Sequence, residues 1–331
     1  MQHTVEMRRR LAVSLALVAG LAWLVACGTE VRPTLEAGAL TSISSAAGAT
    51  AEGTRLAMAP QRYRTEIFGP TVFRYANDPV YTTVPDLITG APTLLSLSVY
   101  TADGDTAPSR PLIVWIHGGA FLNGARTQMA GIAQSYARLG YVTATVDYRL
   151  DPGNHCLEVQ AGLYTGAQLI AEQARCERAI LAARDDAAAA IAFLRANAAS
   201  YRIDTTRVVV GGASAGAITA VHVGQTLNTP GSPPPVASQV SAVLAMSGCN
   251  YIVGSIDVAD APVAMLASGF DPLVPYACSV GVVDSAAANG TPVWRNFFPN
   301  ENLHAQGLYG AHRDEVDRGW RLFLIDVLHL A

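Results

Sequence analysis

From residue 93 onward the chain alternates short apolar runs with longer stretches of helical period. Thr93–Tyr100, Pro111–Ile116 (PLIVWI), Tyr141–Asp147 (YVTATVD), Arg207–Val210, Val240–Met246, Pro262–Leu266 and Pro292–Phe298 are the strand candidates. Several are continuous Val/Ile/Leu runs without a polar alternate, the pattern of strands buried on both faces. Between them Thr127–Leu139, Glu177–Ser200, Ala215–Leu227 and Arg313–Leu330 carry helical spacing. Strand, helix, strand in this rhythm predicts an α/β fold with a mostly parallel central sheet flanked by helices on both faces. Ser232–Pro235 (SPPP) reads as a loop. No internal repeat and no second linker divides residues 61–331, so they are expected to form one domain.

The first sixty residues follow a different pattern. Arg8, Arg9 and Arg10 precede an apolar run from Leu11 to Ala26, long enough for a signal segment and short for a membrane span. It ends in Leu24-Val25-Ala26-Cys27, which resembles a bacterial lipobox. Residues 1–27 are therefore expected to be a signal peptide with Cys27 as the lipidation site. Ordinary secretion with cleavage nearby and an uncleaved anchor are the alternatives. All three export the domain to the cell envelope, lipid-anchored or periplasmic/secreted. Residues 28–60, rich in Ala, Gly, Ser and Thr, read as a flexible tether.

Export changes the meaning of the cysteines. Cys156, Cys176, Cys249 and Cys278 remain once Cys27 is set aside, and an oxidising compartment permits two disulfides. Local pairing, Cys156–Cys176 and Cys249–Cys278, is expected; free buried thiols are the alternative. No Cys-x-x-Cys pair suggests a structural zinc. Half of the 331 residues are hydrophobic and 15% are charged, with a formal net charge of −4. A sizeable core can form, and no basic stripe suggests nucleic acid as a partner.

Candidate chemistry sits at the ends of two predicted strands. Gly212-Ala213-Ser214-Ala215-Gly216 follows the strand RVVVG and opens the apolar helix AITAVHVG. A serine on such a sharp strand-to-helix turn needs small neighbours, and the helix N-terminus beneath it favours negative charge. A glycine-rich turn without chemistry is the plainer reading. The second element, His117-Gly118-Gly119-Ala120-Phe121, directly follows PLIVWI. Glycines here let backbone N–H groups approach an oxyanion. His117 itself reads as a structural loop residue.

Together these motifs resemble the carboxylesterase and hormone-sensitive-lipase branch of the α/β-hydrolase fold serine esterases. The likeness extends loosely from Thr93 to the C-terminus and takes in Tyr141–Leu150, Asp186–Arg195 and Asp204. It implies Ser214 as nucleophile, with the amides of Gly118, Gly119 and Ala215 as oxyanion donors, and an acid and a histidine after the elbow. Asp271, in the loop after Pro262–Leu266, matches the family's acid position; Asp257, Asp260 and Asp284 are weaker candidates. His304 follows the strand 292–298 and a short turn, where the family places its base; His312, near the last helix, is the rival. Ala217 departs from the family's usual third glycine. The glycines usual before the histidine are missing, and Asn154–Arg178 is an elaboration that borders the expected site.

The resemblance implies hydrolysis of carboxylic esters through an acyl-enzyme. The substrate would be a small-molecule or polysaccharide-linked ester, and the membrane a partner through the lipid anchor. A serine peptidase of the same fold and a catalytically inactive lipid-anchored binding protein are the alternatives. No nucleotide loop, dinucleotide fingerprint or His-Glu-x-x-His occurs, so neither cofactor nor metal is implied. Asp147 and Arg149 are expected to pair with each other, and Arg175, Arg178, Arg184 and Asp185 to be solvated helix positions.

Overall fold

Alternate side chains of the PLIVWI run enter opposite cores. Leu112, Val114 and Ile116 join one buried cluster, Ile113 and Trp115 the other. Val208 and Val210 divide from Val209 in the same way, and Val263 and Met265 from Ala264 and Leu266. Period-2 geometry makes a two-sided core out of a run that shows no polar alternate.

The computed structural model describes residues 61–75, 77–225, 227, 236–252 and 256–330. The readings over residues 1–60, Cys27 among them, and the loop reading of 232–235 lie outside these. The strands are β1 (Val72–Arg74), β2 (Val80–Pro85), β3 (Pro92–Ala102), β4 (Arg110–Ile116), β5 (Val142–Val146), β6 (Ile203–Ala213), β7 (Ala242–Met246), β8 (Val263–Ser268) and β9 (Val293–Phe298). The helices are α1 (Ala130–Arg138), α2 (Cys156–Gln160), α3 (Gly166–Ala196), α4 (Ala198–Tyr201), α5 (Ala215–Gln225), α6 (Tyr276–Ala288), α7 (Ala305–Ala311) and α8 (Arg313–Val327). Residues of α3, α5 and α6 cover one face of the sheet; those of α1, α7 and α8 cover the other. In α8 the buried Val316, Trp320, Phe323 and Leu324 repeat at helical spacing. Asp314 and Glu315 lie in its first turn, where the helix dipole favours acid.

The strand order is β1-β3-β5-β4-β6-β7-β8-β9, with β2 pairing β3 off that path. β3 runs antiparallel to β1, β2 and β5; β5-β4-β6-β7-β8-β9 are parallel. The chain leaves β4 toward β5, then returns across β4 to β6. Connections therefore diverge at the carboxyl ends of β4 and β6, the place where open α/β sheets bind ligands. The two glycine motifs sit at those two ends.

Disulfides join Cys156 to Cys176 and Cys249 to Cys278, the local pairing expected. Most of the Asn154–Arg178 elaboration is helix, because it holds α2 and because α3 begins at Gly166 rather than near Glu177.

His222 lies on α5, fully buried. Its Nδ1–H donates to the Ile218 carbonyl at 2.7 Å and its Nε2 accepts from the Ile252 amide at 3.3 Å, which fixes a neutral tautomer. Burial lowers its pKa to about 4. The unfolded chain, with a histidine pKa of about 6.5, then binds a proton that the folded chain refuses. His222 therefore costs stability as pH falls from about 6.5 toward about 4, and about 3 kcal/mol is lost across that window. Urea unfolding at pH 7.5 and pH 5 is expected to show this loss, and His222→Gln to flatten it. An equal pH slope in the variant would assign the loss to other groups.

Candidate active site

The turn at Ser214 is shaped by close packing. Ser214 has φ +56° in the left-handed region, the strained conformation that lifts a side chain off a strand-to-helix turn. Its amide donates to the Met246 carbonyl at 2.9 Å, and its carbonyl accepts from Ile218 in the first turn of α5. A Cβ on Gly216 would stand 2.1 Å from the Ile116 carbonyl oxygen, and one on Gly212 would stand 2.3 Å from the Gly216 carbonyl carbon. Both flanks must be glycine because backbone lies where a side chain would go. Ala217, where the resembling family has a third glycine, packs fully buried in the core.

The loop after β4 lies against this turn. A Cβ on Gly118 would sit 3.2 Å from Ser214 Cβ and 3.0 Å from the Ala213 carbonyl oxygen. Gly119 has φ +117° and no room for a side chain beside Asn123. Among the described residues the amides of Gly118, Gly119 and Ala215 have no protein acceptor. His117 holds the loop in place. Its Nδ1–H donates to the Gly118 carbonyl at 2.7 Å, and burial lowers its pKa. Tyr148 stacks on its ring at 4.3 Å and donates its hydroxyl to the His117 carbonyl at 3.0 Å. From the other side the Asp151 amide donates to Phe121, and Asn154 Nδ2 donates to the Ala120 carbonyl at 3.3 Å.

Asp271 and His304 are brought together from the ends of β8 and β9. His304 Nδ1 lies 2.8 Å from Asp271 Oδ1 and 2.9 Å from Oδ2. Burial alone would raise the pKa of the Asp271 carboxyl. Hydrogen bonds from His304, the Val274 amide, the Ser247 hydroxyl and the Leu273 amide outweigh it and hold the group below the usual carboxylate range. An ionised Asp271 requires Nδ1 to carry the proton, which leaves Nε2 as the imidazole's acceptor. Nε2 is buried and has no hydrogen-bond partner among the described residues, Ser214 included. Ser214 and His304 are mounted on one turn: Met246 accepts from the Ser214 amide, and the Ser247 hydroxyl accepts from the Ala305 amide at 2.9 Å. His312 instead stacks on Phe298 at 3.8 Å, with Nε2 3.5 Å from Glu301. Asp257, Asp260 and Asp284 bond within their own loops or to Arg295.

Sequence reasoning missed Ser247 and Tyr148. The only signal for Ser247 was its place directly after a buried strand. Two expectations are corrected. Asp147 pairs with Arg126, and Arg149 with Asp186, rather than with each other. Arg175 is not simply solvated: its guanidinium grips Asp151 through two bonds, at 2.6 and 2.7 Å.

A family model described as "alpha/beta hydrolase fold" matches residues 113–248. Among solved structures, esterase 2 of Thermogutta terrifontis phosphoramylated by tabun is 18% identical, with a TM-score of 0.58, over 77% of this chain and 96% of that one. The same esterase with propionate bound is 19% identical, with a TM-score of 0.58 and the same coverage. The butyrate-bound form is 18% identical, with a TM-score of 0.56, over 77% of this chain and 95% of that one. At this identity the likeness establishes the fold: the chain has the α/β-hydrolase fold.

Proposed function

We propose that the chain hydrolyses carboxylic esters with Ser214, His304 and Asp271 as nucleophile, base and acid. One observation carries the reading. A single turn, Met246–Ser247, accepts from the amide of Ser214 and from the amide that follows His304, and donates the Ser247 hydroxyl to the carboxylate of Asp271. A serine hydroxyl is a weak nucleophile at neutral pH and needs a neutral imidazole to accept its proton. His304 offers that nitrogen as Nε2, with the N–H of its Nδ1 fixed on an anionic carboxylate.

In this scheme Ser214 Oγ attacks the acyl carbon while its proton passes to His304 Nε2. The negative charge on the carbonyl oxygen is received by the amides of Gly118, Gly119 and Ala215. The alcohol leaves with the proton from His304. Water, deprotonated by the same nitrogen, then releases the acid and restores Ser214. Likeness to an esterase with propionate and butyrate bound supports short acyl groups. Residues 8–27 and the two disulfides support an exported, lipid-anchored protein that meets small-molecule or polysaccharide-linked esters outside the cytoplasm.

Hydrolysis of p-nitrophenyl acetate is expected for the unaltered chain and to be lost in Ser214→Ala. A fluorophosphonate probe is expected to label the peptide carrying Ser214. A peptide amide run beside the ester tests the peptidase alternative, and an inert ester together with an unlabelled serine would favour a binding protein. Full activity in Ser214→Ala, or a label elsewhere, would end the proposal.

A further inference from the structure

Ser247 occupies a backbone position that suits glycine. It follows β7 with φ +56° and is fully buried, so an L side chain there carries a strain that glycine would avoid. Gly248 stands next to it in sequence. A serine kept in such a place needs a use for its hydroxyl, and the hydrogen bonds supply one.

The hydroxyl has one proton and donates it to Asp271 Oδ2 at 2.7 Å. It accepts from the Ala305 amide at 2.9 Å, a direction fixed because that group can only donate. The other oxygen of the carboxylate is held by the amides of Leu273 and Val274, at 2.9 and 3.0 Å. His304 Nδ1 lies against both oxygens. The carboxylate is thus clamped from two sides, by turn amides of its own loop and by Ser247. The same hydroxyl fixes the peptide that follows His304, where Ala305 also has a positive φ of +43°.

The mount of Ser247 is itself braced. Its amide donates to the Leu266 carbonyl at 2.8 Å. Ser279 on α6 donates its hydroxyl to the Gly248 carbonyl at 2.7 Å, and Cys249 is joined to Cys278 on the same helix. α6 begins directly after the loop that carries Asp271.

We infer that Ser247 is a positioning residue that sets the acid and the base in register through one hydroxyl. This rests on the reading of Asp271 and His304 as acid and base. Loss of the hydroxyl frees the carboxylate to rotate and releases the Ala305 amide. Neither change touches the groups that bind substrate, so the effect belongs in kcat rather than KM.

The test compares Ser247→Ala with Ser247→Gly. Both lack the hydroxyl, but only glycine relieves the backbone strain. Both variants are expected to lose kcat for p-nitrophenyl acetate by about 10- to 100-fold, the effect of removing a hydrogen bond to a charged group. KM is expected to stay near its original value, and the glycine variant to melt at a higher temperature than the alanine variant. A purely structural role makes activity follow melting temperature. Near-normal kcat in either folded variant, or a loss carried by KM, would overturn the inference. Should the alanine variant not fold, the glycine variant decides alone. Loss of activity in Ser214→Ala and His304→Ala alongside normal kcat in both Ser247 variants sinks this inference and leaves the esterase reading intact. An active Ser214→Ala would remove that reading first.

Discussion

His304→Ala is expected to lower kcat for p-nitrophenyl acetate by about 10⁴- to 10⁶-fold, the range found when the base of a Ser-His-acid unit is removed. His312→Ala is expected to leave kcat close to that of the unaltered chain. The two histidines follow the same strand and lie eight positions apart, so composition around them offers little to choose between them. Their surroundings differ. His304 Nδ1 rests on Asp271, whereas His312 lies flat on Phe298 with its Nε2 facing Glu301 at 3.5 Å. Removing His312 forfeits a stacking contact of about 0.5–1.5 kcal/mol, a matter of melting temperature. Asp271→Asn adds a graded check. Asparagine can still accept a hydrogen bond but carries no charge for the imidazolium, and loss of about 10⁴ in kcat is expected. Activity retained in His304→Ala and lost in His312→Ala would transfer the base to His312. It would also break the link to Asp271 on which the site is assembled.

The parts of this molecule legible in its sequence are those fixed by local sterics and period. β4, β7, β8 and the Val208–Val210 centre of β6 were readable because an unbroken apolar run has one economical use, a strand with core on both sides. The turn at Ser214 was readable because only glycine fits at 212 and 216. What escaped depends on distant parts of the chain. β1 and β2 are short strands that pair with β3 alone and bury few side chains, so their pattern is faint. α6 is apolar or small nearly all round, which hides its period. The ion pairs Arg126–Asp147 and Arg149–Asp186 join segments that only the sheet brings together, so the short Asp147–Arg149 spacing misled. Asp271 and His304 were named through the resemblance, but the contacts that bring their loops together fall in the same class. The Phe270 amide bonds to the Glu301 carbonyl and the Ser268 hydroxyl to the Leu303 carbonyl, fastening the loop after β8 to the loop after β9. No local pattern encodes those contacts.

Gly216→Ala is expected to be a strongly damaging methyl addition on the flank of Ser214. Its Cβ would lie 2.1 Å from the Ile116 carbonyl oxygen and 2.6 Å from both the Ile116 carbonyl carbon and the His117 carbonyl oxygen. All three are backbone atoms at the end of β4, so no rotamer change can make room. The φ of Gly216 lies outside the left-handed region, and the cost is therefore one of space alone. Relief requires either α5 to lift from the sheet or the end of β4 to shift, and the second movement carries Gly118 and Gly119 with it. Overpacking of this kind costs about 1–3 kcal/mol, and more where backbone must move. Circular dichroism melts are expected to show a drop of several degrees, and turnover in the surviving folded fraction to fall with it. Ala217→Gly, one position on, supplies the contrast. It removes a buried methyl group from a helix interior, costing about 1 kcal/mol with no displacement of β4, and should leave kcat nearly unchanged. Wild-type stability and turnover in Gly216→Ala would mean that the helix, the β4 end and the nucleophile turn do not meet as closely as described, and that the glycine flanks of Ser214 have another cause.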